Sequence, residues 1–557
     1  MSAPQYQTVP YPFDAGPLGH IQGLAVSDPS DPSNHLLHYF GGIPYAQPPV
    51  GPYRFRRSRP LAPCYRYGTR ANPANFTGGH GVCPQPGWRG PPDTTLWDEN
   101  CLQLNIYIPT GSPPAEGWPV FFFIHGGFLQ WGDANNPPAA LTPLLSEDTG
   151  FHAIIVQPGY RLNAFGFLSS HSLASEAESR NEPLGNYGFW DQRLALEWTR
   201  KNIPLFAGNP SNITVAGYSA GSHSTFMQLA HELYRVPREK AIIRNCIMWS
   251  NSPGVQPKTL SEHSAQYAEL LTALSIPPDL SESEKLHLLR STPATRIASV
   301  QDSLQQSEFR ALSDGAFIPT DLMQQINSGD FAQRMKARGI RLINGECEAE
   351  HNLYRHWRTP GNSFPAVFGR LCADYPRDVV EKLLRRYCGS LSDPKLPKGM
   401  KDWTILFGHV YADMQVHCLE RGFVDRLCRS NDNKTALVPG KNIFRYRIEY
   451  RAHCVDETLP PEWGVTHATD MAIWHWGGGK LTQAEKGVVR PWLQALGRFM
   501  QGEEEVEWGT EGRDVREVRR LRNDGGTDVW WDELWEEGVR VWELVNGGGD
   551  GGGKARL

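Results

Sequence analysis

The sequence predicts an α/β protein with a large, mostly parallel central sheet flanked by helices. Three observations predict it. Short continuous apolar runs recur at residues 120–124, 153–157, 213–216 and 246–250. Each is long enough for one buried strand and too short for a helix. Amphipathic helical patterns stand between or after them. Residues 191–203 place Leu194, Ala195, Trp198 and Ile203 on one side, and 224–234 space their apolar residues the same way. The resulting order of strand, loop, helix and strand argues for parallel strands covered on both faces.

The bulk properties bound the function. A chain of 557 residues with 40% hydrophobic and 21% charged residues buries a large core. We expect one domain over 1–546 and a disordered glycine-rich tail over 547–557. Net charge is −5 and no basic stripe stands out, which argues against nucleic acid or anionic lipid as partner. No apolar run approaches the roughly 20 residues that span a bilayer. The N-terminus has neither a basic start nor an apolar core segment, so no signal peptide is read. A cytoplasmic location is expected, with secretion the alternative. The ten cysteines form neither a disulfide framework nor a CxxC pattern. The sequons at Asn75, Asn212 and Asn433 are no more than chance supplies.

Taken in order, residues 19–26 and 35–40 read as strands. Residues 41–55 hold too many Pro and Gly for helix or central strand, and read as an ordered loop. Residues 102–108 alternate as a strand does. The run 120–124 empties into His125-Gly126-Gly127-Phe128, where two glycines allow close backbone approach. Residues 259–330 are mainly helical with polar breaks. A short strand is expected at 341–344, a polar loop at 345–354, helices through much of 378–427, and a strand at 442–450. His467 falls in a loop, and 483–500 is a further helix.

Gly217-Tyr218-Ser219-Ala220-Gly221 is the stretch the rest is organised around. A serine between two glycines, after a β-branched strand and before a helix, is the pattern of a nucleophile elbow. The turn is so tight that the serine is strained and a side chain at either flanking position would clash. The helix N-terminus beneath favours negative charge nearby. A serine hydroxyl needs a base, and the base needs a group to orient it. In this arrangement the partners follow in the order Ser, acid, His. Glu346, Glu348 and Glu350 compete for the acid on residues alone. A metal site from Cys347, Glu348, Glu350 and His351 fits no standard zinc spacing.

Several segments in fixed order resemble the type B carboxylesterases of the α/β-hydrolase fold, which include cholinesterases and fungal esterases and lipases. They include Gly41-Gly42-Ile43-Pro44-Tyr45-Ala46, Glu99-Asn100-Cys101-Leu102, the HGGF segment and Tyr160-Arg161-Leu162. Gly185-Asn186-Tyr187-Gly188-Phe189-Trp190-Asp191-Gln192-Arg193 and Ser250-Asn251-Ser252-Pro253 complete the set around the pentapeptide. The family usually has Glu where Tyr218 stands, an acidic Glu-Asp-Cys where Glu99-Asn100-Cys101 stands, and Gly where His351 stands.

The resemblance implies a serine hydrolase acting on a small-molecule ester through an acyl-enzyme, with no cofactor. It assigns Ser219 as nucleophile, Glu350 as acid and His467 as base, with Asp470 three residues on. The amides of Gly126, Gly127 and Ala220 would form the oxyanion hole. Ser250 would support the triad or merely cap a strand end. A disulfide between Cys83 and Cys101 would close a loop holding Trp88 and Trp97, the alternative being two free thiols. Arg161 with Asp191, and Arg54 with Glu99, would be structural ion pairs. His475 would pack among aromatics, and His125 and His223 would lie near the site without a base role. Two other readings stand beside this one. A lipase on long-chain acylglycerols would need an apolar tunnel and a lid near 83–101. A non-catalytic interaction module would lack one of the three residues, and none is missing.

Overall fold

The computed structural model describes residues 6–79, 81–88, 90–429, 436–510 and 512–547. Among them thirteen strands form one sheet. They are β1 (Gln7–Asp14), β2 (His20–Asp28), β3 (Asp31–Pro44), β4 (Ala74–Asn75), β5 (Gln103–Pro109), β6 (Trp118–Ile124), β7 (Ile154–Pro158), β8 (Gly208–Tyr218), β9 (Ile243–Trp249), β10 (Arg341–Cys347), β11 (Ile443–Ile448), β12 (Glu517–Leu521) and β13 (Thr527–Trp531). The sheet runs β1-β2-β3-β5-β7-β6-β8-β9-β10-β11-β12-β13, with β4 beside β2.

The seven strands from β7 to β12 in that order pair in parallel. Antiparallel pairs flank them at both ends. Chain connectivity explains the outermost antiparallel pairs, though not β3–β5 and β5–β7, whose connections are long. β1 to β3 and β12 to β13 are joined by short turns, which allow only reversal, while parallel neighbours need a long crossover. Every residue of β7, β10 and β11 is buried. A strand with one face in water would alternate, so both faces of this block are covered. The helix Ala220–Arg235 packs on β6, β8 and β9, and the helix Gln483–Gln501 on β6 and β8. No helix among the described residues is long and apolar enough to cross a membrane.

Several boundaries differ from the sequence expectation. β3 runs on to Pro44, into the segment read as a loop, because Phe40 and Ile43 still find partners on β5. β10 continues to Cys347 and a helix begins at His351, so residues 345–354 are not one polar loop. Glu346 is buried there among cations, which the polar composition concealed. The helix after Ser219 starts at Ala220, four residues early, since Ala220, Gly221 and Ser222 are small enough to pack in its buried first turn. The edge strand β1 carries Pro10 and Pro12, whose missing N–H groups an edge tolerates. The tail expected to be disordered lies, beyond Gly547, outside the described residues, as does Asn433.

Candidate active site

Ser219 sits at the end of β8 with φ 57° and ψ −127°, a backbone conformation that costs a non-glycine residue energy. The two flanking glycines make it possible. A Cβ on Gly217 would lie 2.0 Å from the Gly221 carbonyl oxygen, and one on Gly221 would lie 2.0 Å from that of Ile124. The Ser219 N–H donates to Trp249 O on β9 (2.9 Å), which ties the turn to the sheet.

Glu350 follows the end of β10, and His467 lies in a loop after β11. Sequence separations of 248 and 117 residues vanish here. His467 Nε2 is 2.8 Å from Ser219 Oγ, and His467 Nδ1 is 2.5 Å from Glu350 Oε2. The other Glu350 oxygen accepts the Cys347 N–H at 2.8 Å. All three residues are buried. The rings of Tyr354 and Tyr218 pack on the imidazole, with centroids 4.4 Å and 4.9 Å away.

The structure separates the three competing glutamates. Glu346 is held by Arg421, Arg447 and His417, and Glu348 is exposed. Only Glu350 reaches the imidazole. Cys347, Glu348, Glu350 and His351 therefore do not converge, and no metal-ligating cluster occurs among the described residues.

Gly126 and Gly127 form the other wall. A Cβ on Gly126 would lie 2.7 Å from Tyr218 O and 2.9 Å from Ser219 Cβ, so this loop presses on Ser219. Ala220 is the first residue of its helix, and its N–H has no intrahelical acceptor. Phe128 and Leu129 then take positive φ, at 59° and 63°. A segment that sequence reasoning missed holds this strained loop. Arg310 Nη1 donates to Phe128 O, and Gln130 Nε2 donates to Phe309 O at 2.7 Å. Arg310 also pairs with Glu308 and Asp374. No local pattern marks it: the sequence predicts residues 259–330 to be mainly helical, whereas 302–321 form an irregular segment between the helices Ala294–Gln301 and Leu322–Asn327, tied down by contacts distant in sequence.

The secondary expectations fall into place around this centre. Asp470 accepts hydrogen bonds from Tyr446 Oη (2.9 Å), Trp474 Nε1 (3.2 Å) and Ser250 Oγ (3.4 Å). The Ser250 hydroxyl thus hydrogen-bonds to Asp470. Burial, and next the charge of Glu350, push the Asp470 carboxyl up to about 6. Cys83 and Cys101 are bonded, and Trp88 in the loop they close stacks on Trp131 at 5.3 Å. Arg161 pairs with Asp191 at 2.7 Å, and Arg54 pairs with Glu99. His475 lies against Phe123 and Trp249. Burial lowers His223 to about 4, so it is neutral near pH 7; its backbone N–H donates to Ser219 O (3.1 Å) and its ring Nδ1 lies 3.4 Å from Ser252 O.

Comparison with known proteins decides the family. The profile described as the carboxylesterase family matches residues 12–504. The chain belongs to the carboxylesterase family. A carboxylic ester hydrolase of Gibberella moniliformis is 53% identical over 98% of this chain and 97% of its own length. An uncharacterized esterase/lipase of Schizosaccharomyces pombe is 37% identical over 95% and 96%. The crystal structure of Aspergillus niger EstA superposes with a TM-score of 0.69 at 19% identity, covering 96% of this chain and 97% of that one. At that identity the superposition speaks for the fold, which is the α/β-hydrolase architecture expected from the sequence. The carboxylesterase is thus an enzyme of the ester-hydrolase class.

Proposed function

We propose that this carboxylesterase cleaves carboxylic esters by acyl transfer to Ser219. His467 Nε2 takes the proton from Ser219 Oγ as the oxygen attacks the ester carbonyl. The developing oxyanion is met by the amides of Gly126, Gly127 and Ala220. Loss of one such donor typically costs about a hundred- to a thousandfold in rate. Glu350 holds the imidazole in the tautomer with a proton on Nδ1 and stabilises its cationic form. His467 then returns the proton to the leaving alcohol, and water repeats the cycle on the acyl-enzyme. These steps use only side chains and backbone.

One observation carries the reading: the unbroken run of contacts from Glu350 through His467 to Ser219, at 2.5 Å and 2.8 Å. An interaction module would have no need to keep that alignment in a buried, strained turn. The test is hydrolysis of 4-nitrophenyl butyrate by the wild type and Ser219→Ala. A fall in kcat of at least about ten-thousandfold is expected. Comparable activity in the two proteins would sink the assignment.

A further inference from the structure

We propose that the acid half of the substrate is short, about the size of a butyryl group or smaller, and that the alcohol half is bulky and apolar or aromatic. This rests on the acyl-transfer reading above.

Ser219 lies where two spaces meet. An inner cavity of about 70 Å³ is lined by Ala220, Leu129, Val255, Tyr375 and Gln415, among others. An outer cleft of about 720 Å³ has Gly126, Gly127 and His467 at its base and Trp88, Trp97 and Trp131 in its walls. His467 borders the outer cleft and does not border the inner cavity. That asymmetry orients the ester. The general acid must reach the leaving oxygen to protonate it, so the alcohol lies on the His467 side, in the outer cleft. The acyl chain is left with the inner cavity.

Size then limits the acid. A cavity of about 150 Å³ accommodates the six carbons of benzene, so 70 Å³ has room for about three heavy atoms beyond the carbonyl carbon. The walls resist expansion. Arg310 pairs with Asp374 and Glu308, and Arg370 pairs with the same two carboxylates. Lys258 Nζ donates to Cys372 O (2.8 Å) and Ala373 O (2.7 Å) at the end of the helix Phe364–Asp374. Pushing an alkyl chain through this layer would strip buried charges of their partners, which is strongly unfavourable. The outer cleft has no such limit, and its stacked Trp88 and Trp131 offer a flat apolar wall.

Two ester series on the wild-type protein test this. In the first, 4-nitrophenyl esters run from acetate through butyrate to octanoate. In the second, butyrate is held and the alcohol runs from methyl through benzyl to 2-naphthyl. We expect kcat/KM to fall at least tenfold from butyrate to octanoate, and to hold or rise as the alcohol grows. Val255→Ala, which enlarges the inner cavity, should move the acyl optimum one or two carbons longer. Octanoate equal to or better than butyrate, or loss of activity with larger alcohols, overturns the proposal while leaving ester hydrolysis intact. Absence of hydrolysis for every ester instead overturns the acyl-transfer reading, and this inference with it. Should Val255→Ala fail to fold, the wild-type series alone still decides.

Discussion

Glu346 and Glu350 stand four residues apart at the end of β10, and both are buried. Glu346 is surrounded by cations. Arg421 grips it through two bonds of 2.8 Å and 2.9 Å, Arg447 adds a third, and His417 Nδ1 lies 2.6 Å away. Burial would raise its carboxyl, but the charges of Arg421 and His417 outweigh that and hold it well below the usual range. Glu350 has no Arg or Lys partner among the described residues. Its only ionisable hydrogen-bond partner there is His467, and its second oxygen is taken by a backbone amide. The difference teaches what separates a buried structural carboxylate from one able to work on an imidazole. A carboxylate saturated by arginines has nothing left to give when a neighbour becomes charged. One that faces a single imidazole gains most of its electrostatic energy when that ring takes a proton.

The largest effect should come from breaking the second member of the pair. Glu350→Gln keeps the shape and removes the charge, so kcat should fall by about a thousand- to ten-thousandfold with little change in unfolding temperature. Steady-state rates on 4-nitrophenyl butyrate measure it. A change below tenfold would place Glu350 with the structural carboxylates.

Glu346→Gln should do the reverse. It leaves Arg421 and Arg447 short of a buried counter-charge, and breaking such a pair typically costs about 3–5 kcal/mol. Denaturant unfolding should show that loss, while the rate per folded molecule stays within tenfold of wild type. Intact stability would mean that the arginines find other partners.

The smallest effect is one of pH, and it sharpens the comparison because its sign differs between carboxylates. Asp470 titrates near 6 in the folded protein, above its unfolded value of about 3.9. Between those values the folded state holds more protons, so stability falls as pH rises through the window, by up to about 3 kcal/mol. The contribution of Glu346 runs the other way: it is present above the unfolded Glu value of about 4.3 and is lost as pH falls. Asp470→Asn should therefore become more stable relative to wild type between pH 4 and pH 6.5. Unfolding curves that differ by the same amount at both pH values would show that Asp470 carries no such cost.

Much of this site is legible along the chain because its central feature is local. The clash that forbids a side chain at 217 and 221 involves atoms within a strand–turn–helix unit and the adjoining strand end. Glycines flanking a serine, after a β-branched run, are therefore visible in the sequence. The buried parallel strands are equally visible, since burial on both faces demands continuous apolar residues. The strands at the margins are harder to see. β1 carries prolines at an edge, and β13 alternates between half-buried and exposed residues, so neither resembles a core strand.

What the sequence by itself determined is the strained turn at Ser219 and the parallel core, both of which follow from steric and burial constraints between near neighbours. From residues alone, Glu346 and Glu348 competed with Glu350 for the acid, and the family resemblance pointed to Glu350. Only the tertiary structure decided which of them meets the imidazole, that Arg310 fastens the loop beside Ser219, and which of two unequal spaces His467 faces. Those outcomes depend on how the sheet and its helices bring together groups separated by more than a hundred residues. No pattern of neighbouring side chains encodes such distances.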